Sequence, residues 1–383
     1  MEAKLVKGML LGLAVGDALG VPVEFESRLI LKRDPVTNMR AFGSWNQPAG
    51  TWSDDTSLTI AAMESIIRRK KIDYRDVMEN FLKWYEQDAF TATGERFDIG
   101  NTTRSAIVRF SRNLLPPTKC GATEETSNGN GSLMRILPAT LYLFGKRGKI
   151  GGDELKIIHE FSVLTHGHII SRMACGIYSL IAAQILSGKN FSEAFEIGMN
   201  DAKNFYGADD AFKHFTRLCD ENFAALSEDE ISSSGYVVDT LEAALWCLLN
   251  TDDYKTLALK AINLGGDTDT VGAVAGGLAG IFYGAEAIPD EWLKTFRKSI
   301  NRYDYYTDFS KVYENAERFK IEICILSRKI AFKTVFKAQN QFQTSKISFK
   351  IVFAPQQFCF FQGIDGLFLP TFRASKTICS ICN

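Results

Sequence analysis

Alternation of apolar and polar residues, the pattern typical of β-strands, is nearly absent from residues 4–323 of this 383-residue chain. An excess of one charge is also lacking, because 44 Lys and Arg residues balance 45 Asp and Glu residues to a net charge of −1. That balance gives no reason to expect binding to nucleic acid or to a membrane surface. No uninterrupted apolar run reaches the roughly 18 residues that would span a bilayer. We therefore expect a globular protein with neither nucleic acid nor membrane as a partner. We also expect it to be a monomer.

Cysteine is sparse, and its placement gives no sign of a disulfide framework. Cys175 and Cys247 sit in apolar helical contexts, where a small buried thiol is common. Cys379 and Cys382 have C-x-x-C spacing but lack a second pair of metal-ligand type. The apolar N-terminus imitates a short signal peptide, but Asp17 interrupts it. These features favour a reduced, cytoplasmic protein.

Helical periodicity is what the chain does have, through most of residues 4–323. The sequence predicts a compact, all-α domain with long loops between its helices. The predicted helices cover residues 4–20, 55–70, 74–87, 101–112, 131–144, 152–165, 168–186, 191–203, 236–250, 254–263, 269–283 and 290–299.

Two of these helices carry a glycine at every fourth position. Residues four apart lie on one face of a helix, so each stripe would permit close approach of another backbone. Glycine inside a helix costs roughly 1 kcal/mol relative to alanine, so tight packing must offset several such penalties. The stripes consist of Gly8, Gly12, Gly16 and Gly20, and of Gly272, Gly276, Gly280 and Gly284.

Two acidic clusters lie more than 200 residues apart, and each precedes a long apolar run. Either cluster alone could simply begin a helix, because Ser and Asp are favoured N-caps and Asp complements the helix dipole. Carboxylates this close raise each other's pKa unless a cation lies between them. Oxygen donors without thiolate or imidazole suit Mg²⁺ or Mn²⁺ rather than zinc. We therefore hypothesise a binuclear Mg²⁺ site built from Ser53-Asp54-Asp55-Thr56 and Asp267-Thr268-Asp269-Thr270.

A glycine-rich loop at residues 127–132 leads into the predicted helix 131–144. Exposed amides at such a turn can cradle a phosphate. Asn-Gly sequences also make ordinary turns, and a lone loop histidine such as His166 is often structural, so both interpretations stay open.

Six blocks, in order, resemble the ADP-ribosylglycohydrolase family over residues 5–320. The block at residues 97–101 is similar to the dinitrogenase-reductase-activating glycohydrolases within that family. The six blocks are residues 12–20 with Glu24, then 53–56, 97–102, 129–135, 165–166 and 265–270.

The resemblance implies an orthogonal all-α fold with two Mg²⁺ or Mn²⁺ ions in a cleft. It implies hydrolysis of the glycosidic bond between ADP-ribose and a modified protein side chain, arginine in the first place, with release of ADP-ribose. Asp98 would be essential for turnover, and Glu24 would be a mobile acidic residue over the site. The metal ligands would be Ser53, Asp54, Asp55, Asp267, Asp269 and Thr270. The residues contacting ADP-ribose would be Asn101, Asn128, Gly129, Asn130, Gly131, Ser132 and His166.

Two other functions compete with this one. A Mg²⁺-dependent phosphohydrolase of nucleotide diphosphates could use the same carboxylates, but no Lys or Arg cluster lies beside them in sequence to neutralise a transferring phosphoryl group. A non-catalytic protein that binds ADP-ribose could share the fold. Every expected ligand position keeps an oxygen donor, which favours catalysis.

Residues 324–383 differ from the catalytic region predicted at 1–323. They hold 10 of the 28 Phe residues and 8 Lys or Arg against the single acidic residue Asp365. Runs at residues 349–353 and 358–361 have strand character. Three explanations compete for this tail: a module that binds a partner, an extra packed segment, and a sequence appended to the protein. If the sequence is appended, residues 324–383 lie outside the catalytic fold.

Overall fold

The computed structural model describes residues 3–302, 349–351 and 361–363. The chain divides into two compact units, Met1–Phe319 and Lys320–Asn383. In the second unit, strand β1 (Phe349–Ile351) pairs antiparallel with β2 (Phe361–Gly363). Strand β1 lies within the predicted run 349–353, whereas β2 begins only at the last residue of the predicted run 358–361. Other features of the tail, including Cys379 and Cys382, lie outside the described residues. The boundary at residue 323 and the separate role of the tail stay predictions.

The first unit is helical, which confirms the predicted all-α class. Among its described residues, the longest 3₁₀ segment is Asp210–Cys219. The α-helices are α1 Ala3–Gly20, α2 Arg28–Arg33, α3 Asp54–Arg69, α4 Tyr74–Gln87, α5 Asn101–Ser111, α6 Leu137–Arg147, α7 Gly152–Val163, α8 Ile169–Leu186, α9 Phe191–Tyr206, α10 Val237–Leu249, α11 Tyr254–Asn263, α12 Thr268–Tyr283 and α13 Asp290–Arg302.

The predicted helix 131–144 was wrong at its start, because residues 131–135 form turns and α6 begins only at Leu137. The carbonyl oxygen of Asn130 accepts hydrogen bonds from the amides of Leu133 and Met134, which holds the chain in a turn. Pro138 then occupies the first turn of α6, where a missing N–H costs nothing. Helix α2 and the 3₁₀ segment were not predicted.

The two glycine stripes face each other across the crossing of α1 and α12. A Cβ atom placed on Gly8, Gly12 or Gly16 would lie 2.0–2.2 Å from the carbonyl oxygen of a glycine on α12. No side chain larger than hydrogen fits at those distances, so the crossing predicted from the glycine spacing is confirmed. It brings the C-terminal end of α1 against the first turn of α12, where Thr268 Oγ1 donates to Gly20 O at 2.8 Å.

Two segments among the described residues are long and apolar enough to cross a membrane by length and composition, Lys4–Val23 and Ile169–Leu186. The expectation that no segment is long and apolar enough rested on uninterrupted apolar runs. It is corrected here, because mean hydropathy over an 18-residue window tolerates the few polar residues in each segment. In the fold 94% and 78% of these segments are buried. Helices that are apolar all round are also typical of a protein core, so these two are weak evidence for a membrane.

We predict that Gly12→Ala lowers the free energy of unfolding by about 1–3 kcal/mol, because the added methyl group forces the two backbones apart. Urea denaturation measures it. Gly100→Ala is the matched control, since Gly100 has a φ of −61° and no atom within 3.8 Å of an added Cβ. Equal stability of the Gly12 variant and the parent would contradict a close-packed crossing.

Candidate active site

Helices α3 and α12 both begin at an acidic cluster, and the two clusters meet. Ser53 is the N-cap of α3 and accepts a hydrogen bond from the Asp55 amide at 3.4 Å. Asp267 occupies the corresponding position before α12. Thr270 Oγ1 donates to Asp55 Oδ2 at 3.4 Å, so residues 215 positions apart contact each other.

Asp17 on α1 is a member of this site that the sequence did not single out. Its carboxylate is fully buried and accepts from the Ser53 amide at 2.9 Å and the Thr56 amide at 3.1 Å. Thr56 Oγ1 donates to it as well, at 2.5 Å. Burial raises the pKa of Asp17 to about 6 against these hydrogen bonds. Asp17 therefore anchors the first turn of α3 to α1.

Glu24, Asp98 and Asp269 each place a carboxylate oxygen within 4.8 Å of the others. Glu24 follows a short 3₁₀ turn after α1 and accepts a hydrogen bond from Trp45 Nε1. Burial, with the charge of Asp98, raises the pKa of Glu24 to about 9. Burial, with the charge of Asp267, raises the pKa of Asp98 to about 7. Asp98 has a left-handed backbone, with a φ of 49°, in the loop before α5.

The carboxyl groups of this site influence one another, and we call them together the acidic cluster: Asp17, Glu24, Asp54, Asp55, Asp98, Asp267 and Asp269. Burial, together with neighbouring carboxylates, raises the pKa of Asp54, Asp55 and Asp269 well above the ordinary value. Among the described residues no Lys or Arg forms an ion pair with any carboxylate of the cluster. Three buried carboxylate oxygens have no hydrogen-bond partner: Asp55 Oδ1, Asp267 Oδ1 and Asp269 Oδ2.

Unpaired buried carboxylate oxygens are costly unless they coordinate a cation. All three belong to the predicted metal ligands, and all the donors around them are oxygen atoms, as hard divalent cations prefer. The residues present therefore fit a divalent metal, and the cluster could bind one.

The glycine-rich loop is fixed against both the cluster and the start of α10. Asn130 Nδ2 donates to Asp267 Oδ2 at 3.0 Å and to Thr240 Oγ1 at 2.9 Å. The Asn130 amide donates to Gly235 O at 3.1 Å. Asn128 Oδ1 accepts from the Ser171 hydroxyl on α8, which leaves little freedom in the loop.

His166 lies against this loop. A Cβ atom on Gly129 or Gly131 would lie 3.5 Å from His166 Nε2, so the glycines let the ring approach the backbone. Ser132 instead points into the core, where its hydroxyl accepts from Ser162 at 2.9 Å. Asn101 is exposed at the first residue of α5 and accepts from Arg104 at 3.3 Å. The roles predicted for these residues stay predictions.

Comparison with known proteins supplies the family. A family model described as ADP-ribosylglycohydrolase matches residues 2–321. The chain is 33% identical over 291 residues to the ADP-ribosylarginine hydrolase Tri1 of Pseudomonas putida (strain GB-1), covering 75% of this chain and 73% of that protein. It is 30% identical over 297 residues to the ADP-ribosyl-[dinitrogen reductase] glycohydrolase of Rhodospirillum rubrum, covering 77% of this chain and 91% of that protein.

A solved structure, described as an ADP-ribosylglycohydrolase-related protein complex, matches with a TM-score of 0.67 at 30% identity. The match covers 83% of this chain and 97% of that chain. The predicted fold type and enzyme class are thereby confirmed. The chain belongs to the ADP-ribosylglycohydrolase family, whose members are hydrolases that act on the glycosidic bonds of ADP-ribose.

Proposed function

We propose that this protein releases ADP-ribose from an arginine side chain of a modified protein, using two Mg²⁺ or Mn²⁺ ions. The observation that carries the proposal is the group of three unpaired, buried carboxylate oxygens where α3 and α12 begin. The arginine linkage is supported by the name of the Pseudomonas relative, an ADP-ribosylarginine hydrolase.

The ions would be held by Ser53, Asp54, Asp55, Asp267, Asp269 and Thr270. Bound there, divalent metals supply charge that can orient the hydroxyl groups of a ribose and lower the pKa of a water molecule. The protein contributes preorganisation, because Asp17 fixes the start of α3 and Asn130 fixes the Asp267 carboxylate.

Asp98 is the group we assign to proton transfer. Cleavage at the ribose carbon builds positive charge on the sugar and requires a proton at the leaving nitrogen of the guanidine group. A carboxyl whose pKa burial raises to about 7 can both hold and accept a proton near neutral pH. As a carboxylate, Asp98 could also form a paired hydrogen bond with the guanidinium. Glu24 would close over the bound ribose.

We expect Asp55→Ala and Asp269→Ala each to lower turnover of an arginine-linked substrate at least ~10²-fold, the scale for removing a preorganised charged group. Asp229→Ala is the control, because its side chain is 77% exposed and, within the described residues, its ion pair is with Lys32. Circular dichroism checks that each variant folds, and chromatography identifies the product. Parental rates in both folded variants would refute the assignment.

The same assay separates the competing functions. Intact ADP-ribose as the product supports the glycohydrolase, whereas AMP with ribose phosphate supports a phosphohydrolase. Calorimetric binding of ADP-ribose that does not depend on Mg²⁺, without any turnover, would favour a non-catalytic protein. Substrates linked through arginine and serine, compared at equal concentration, test the linkage.

The metal-free protein should lose stability as the pH rises from 6.5 to 8.5. Asp98 and Glu24 have raised pKa values of about 7 and about 9 in the fold, so the folded protein binds more protons than the unfolded chain in this range. The buried His159 and His166, whose pKa values burial lowers to about 4 and about 3, are neutral in the fold. In the unfolded chain they are about half protonated at pH 6.5 and neutral above about pH 7.5, so they offset only part of the trend, at the lower end of this range.

Thermal midpoints in EDTA and in Mg²⁺ measure this effect. Mg²⁺ should raise the midpoint more at pH 8.5 than at pH 6.5, because metal binding requires deprotonated ligands. In Asp269→Asn the added stabilisation by Mg²⁺ should shrink. A midpoint in EDTA that rises with pH over this range would contradict the prediction.

A further inference from the structure

Arg135 is a fully buried cation that forms no ion pair in the described part of the chain. Its guanidinium lies over two aromatic rings, 4.8 Å from the Phe81 centroid and 5.5 Å from that of Phe161. Its Nη2 donates to Thr165 Oγ1 at 2.6 Å, while Nε and Nη1 have no partner. A buried charge is costly, so this residue needs a reason beyond packing.

The hydrogen bond from Arg135 determines which atom accepts the hydroxyl hydrogen of Thr165. A guanidinium can only donate, so Thr165 Oγ1 accepts from Arg135. The hydroxyl hydrogen has one described acceptor, His166 Nδ1 at 2.8 Å. If Nδ1 carried a proton, the buried hydroxyl hydrogen would have no acceptor, which is unfavourable. Nδ1 is therefore the acceptor.

A neutral imidazole whose Nδ1 accepts must carry its proton on Nε2. Burial lowers the pKa of His166 to about 3, so the ring is neutral at physiological pH. Nε2 lies beside Gly129 and Gly131 in the glycine-rich loop. We propose that Arg135 and Thr165 are positioning residues that hold His166 as the Nε2–H tautomer, a donor for an oxygen atom of ADP-ribose bound at that loop. The identity of the ligand rests on the proposed function.

Nitrogen NMR of the imidazole rings tests this tautomer directly, because the chain has only four histidines. Loss of one signal in His166→Asn assigns the ring. The parent should show an unprotonated Nδ1 at pH 7. Thr165→Val should populate the other tautomer and weaken ADP-ribose binding about 10-fold in calorimetry, the scale for loss of one hydrogen bond. Thr165→Ser should preserve both the tautomer and the affinity.

A protonated Nδ1 in the parent would overturn the proposal, and so would an unchanged tautomer in folded Thr165→Val. If Thr165→Val does not fold, the spectrum of the parent protein alone still shows which tautomer His166 adopts. Because the tautomer is read without any substrate, failure of the proposed hydrolysis would leave this result standing.

A second inference rests on three aromatic side chains, Phe25, Trp45 and Phe97, which we call the aromatic rim. Phe25 and Phe97 adjoin Glu24 and Asp98 in the chain, and Trp45 donates to Glu24. The Trp45 ring centroid lies 6.2 Å from that of Phe25 and 5.7 Å from that of Phe97. The rim therefore connects through covalent and hydrogen bonds to two carboxylates of the acidic cluster.

Stability of the fold does not explain the exposed side chain and the backbone conformation of Phe25. Its side chain is 69% exposed, and its φ of 68° is a left-handed conformation that is rare for a bulky residue. Exposure of a large ring and backbone strain are both unfavourable, and strain of this kind concentrates at binding sites. A guanidinium is complementary to such a surface, because it stacks on aromatic faces and pairs with carboxylates.

We infer that the aromatic rim binds the guanidinium and neighbouring chain of the modified arginine, on the acceptor side of the bond that is cleaved. This inference deepens the proposed function and depends on it. Phe25→Leu should raise KM for an arginine-linked peptide about 3–30-fold with little change in kcat, as expected for the loss of a cation–π contact. Binding of free ADP-ribose should not change.

Phe282→Leu is the matched control, a 40% exposed ring at the far end of α12. An unchanged KM in Phe25→Leu would overturn the inference, as would an equal loss of affinity for free ADP-ribose. If the proposed function itself is wrong, the parent will not hydrolyse the arginine-linked peptide at all, so the two failures are distinguishable.

Discussion

Backbone contact between α1 and α12 is the constraint on which the site depends. With glycine at each contact, the C-terminal end of α1 reaches the first turn of α12, and Thr268 bonds to Gly20. Helix α1 also carries Asp17, whose carboxylate accepts hydrogen bonds from the amides of Ser53 and Thr56 at the start of α3. One crossing therefore sets the distance between both acidic clusters. A shift of about 1 Å there would move the carboxylates relative to each other, enough to impair a preorganised site.

The site concentrates charge that the protein does not neutralise. Desolvation and mutual repulsion raise the pKa of the carboxyl groups in the cluster, and no described Lys or Arg forms an ion pair with them. The nearby cation, Arg135, lies instead over two aromatic rings and donates a hydrogen bond to Thr165. The arrangement is thus unfavourable by itself and complementary to divalent cations, as is typical of sites selected for function rather than for stability.

Local sequence patterns predicted much of this protein, and the misses have identifiable causes. The glycine stripes and the two acidic clusters have fixed spacing, so their helices could be placed. Asp17 has no such pattern, because a single acid in an apolar helix acquires its role only when α3 is packed beside it. The start of α6 was misplaced because Leu133, Met134 and Ile136 have helical spacing within turns. Phe25 was missed because exposure and backbone strain have no sequence signature.

The helix crossing also has a consequence for synthesis of the chain. Gly20 and its partner Thr268 are 248 residues apart, so α1 leaves the ribosome long before α12 exists. At 5–20 residues per second, this interval is roughly 10–50 s. During it, a helix apolar enough to resemble a membrane span lacks the surface that buries it. Completion of the core must therefore follow translation of α12, and until then the apolar surface of α1 is without the helix that covers its glycine stripe.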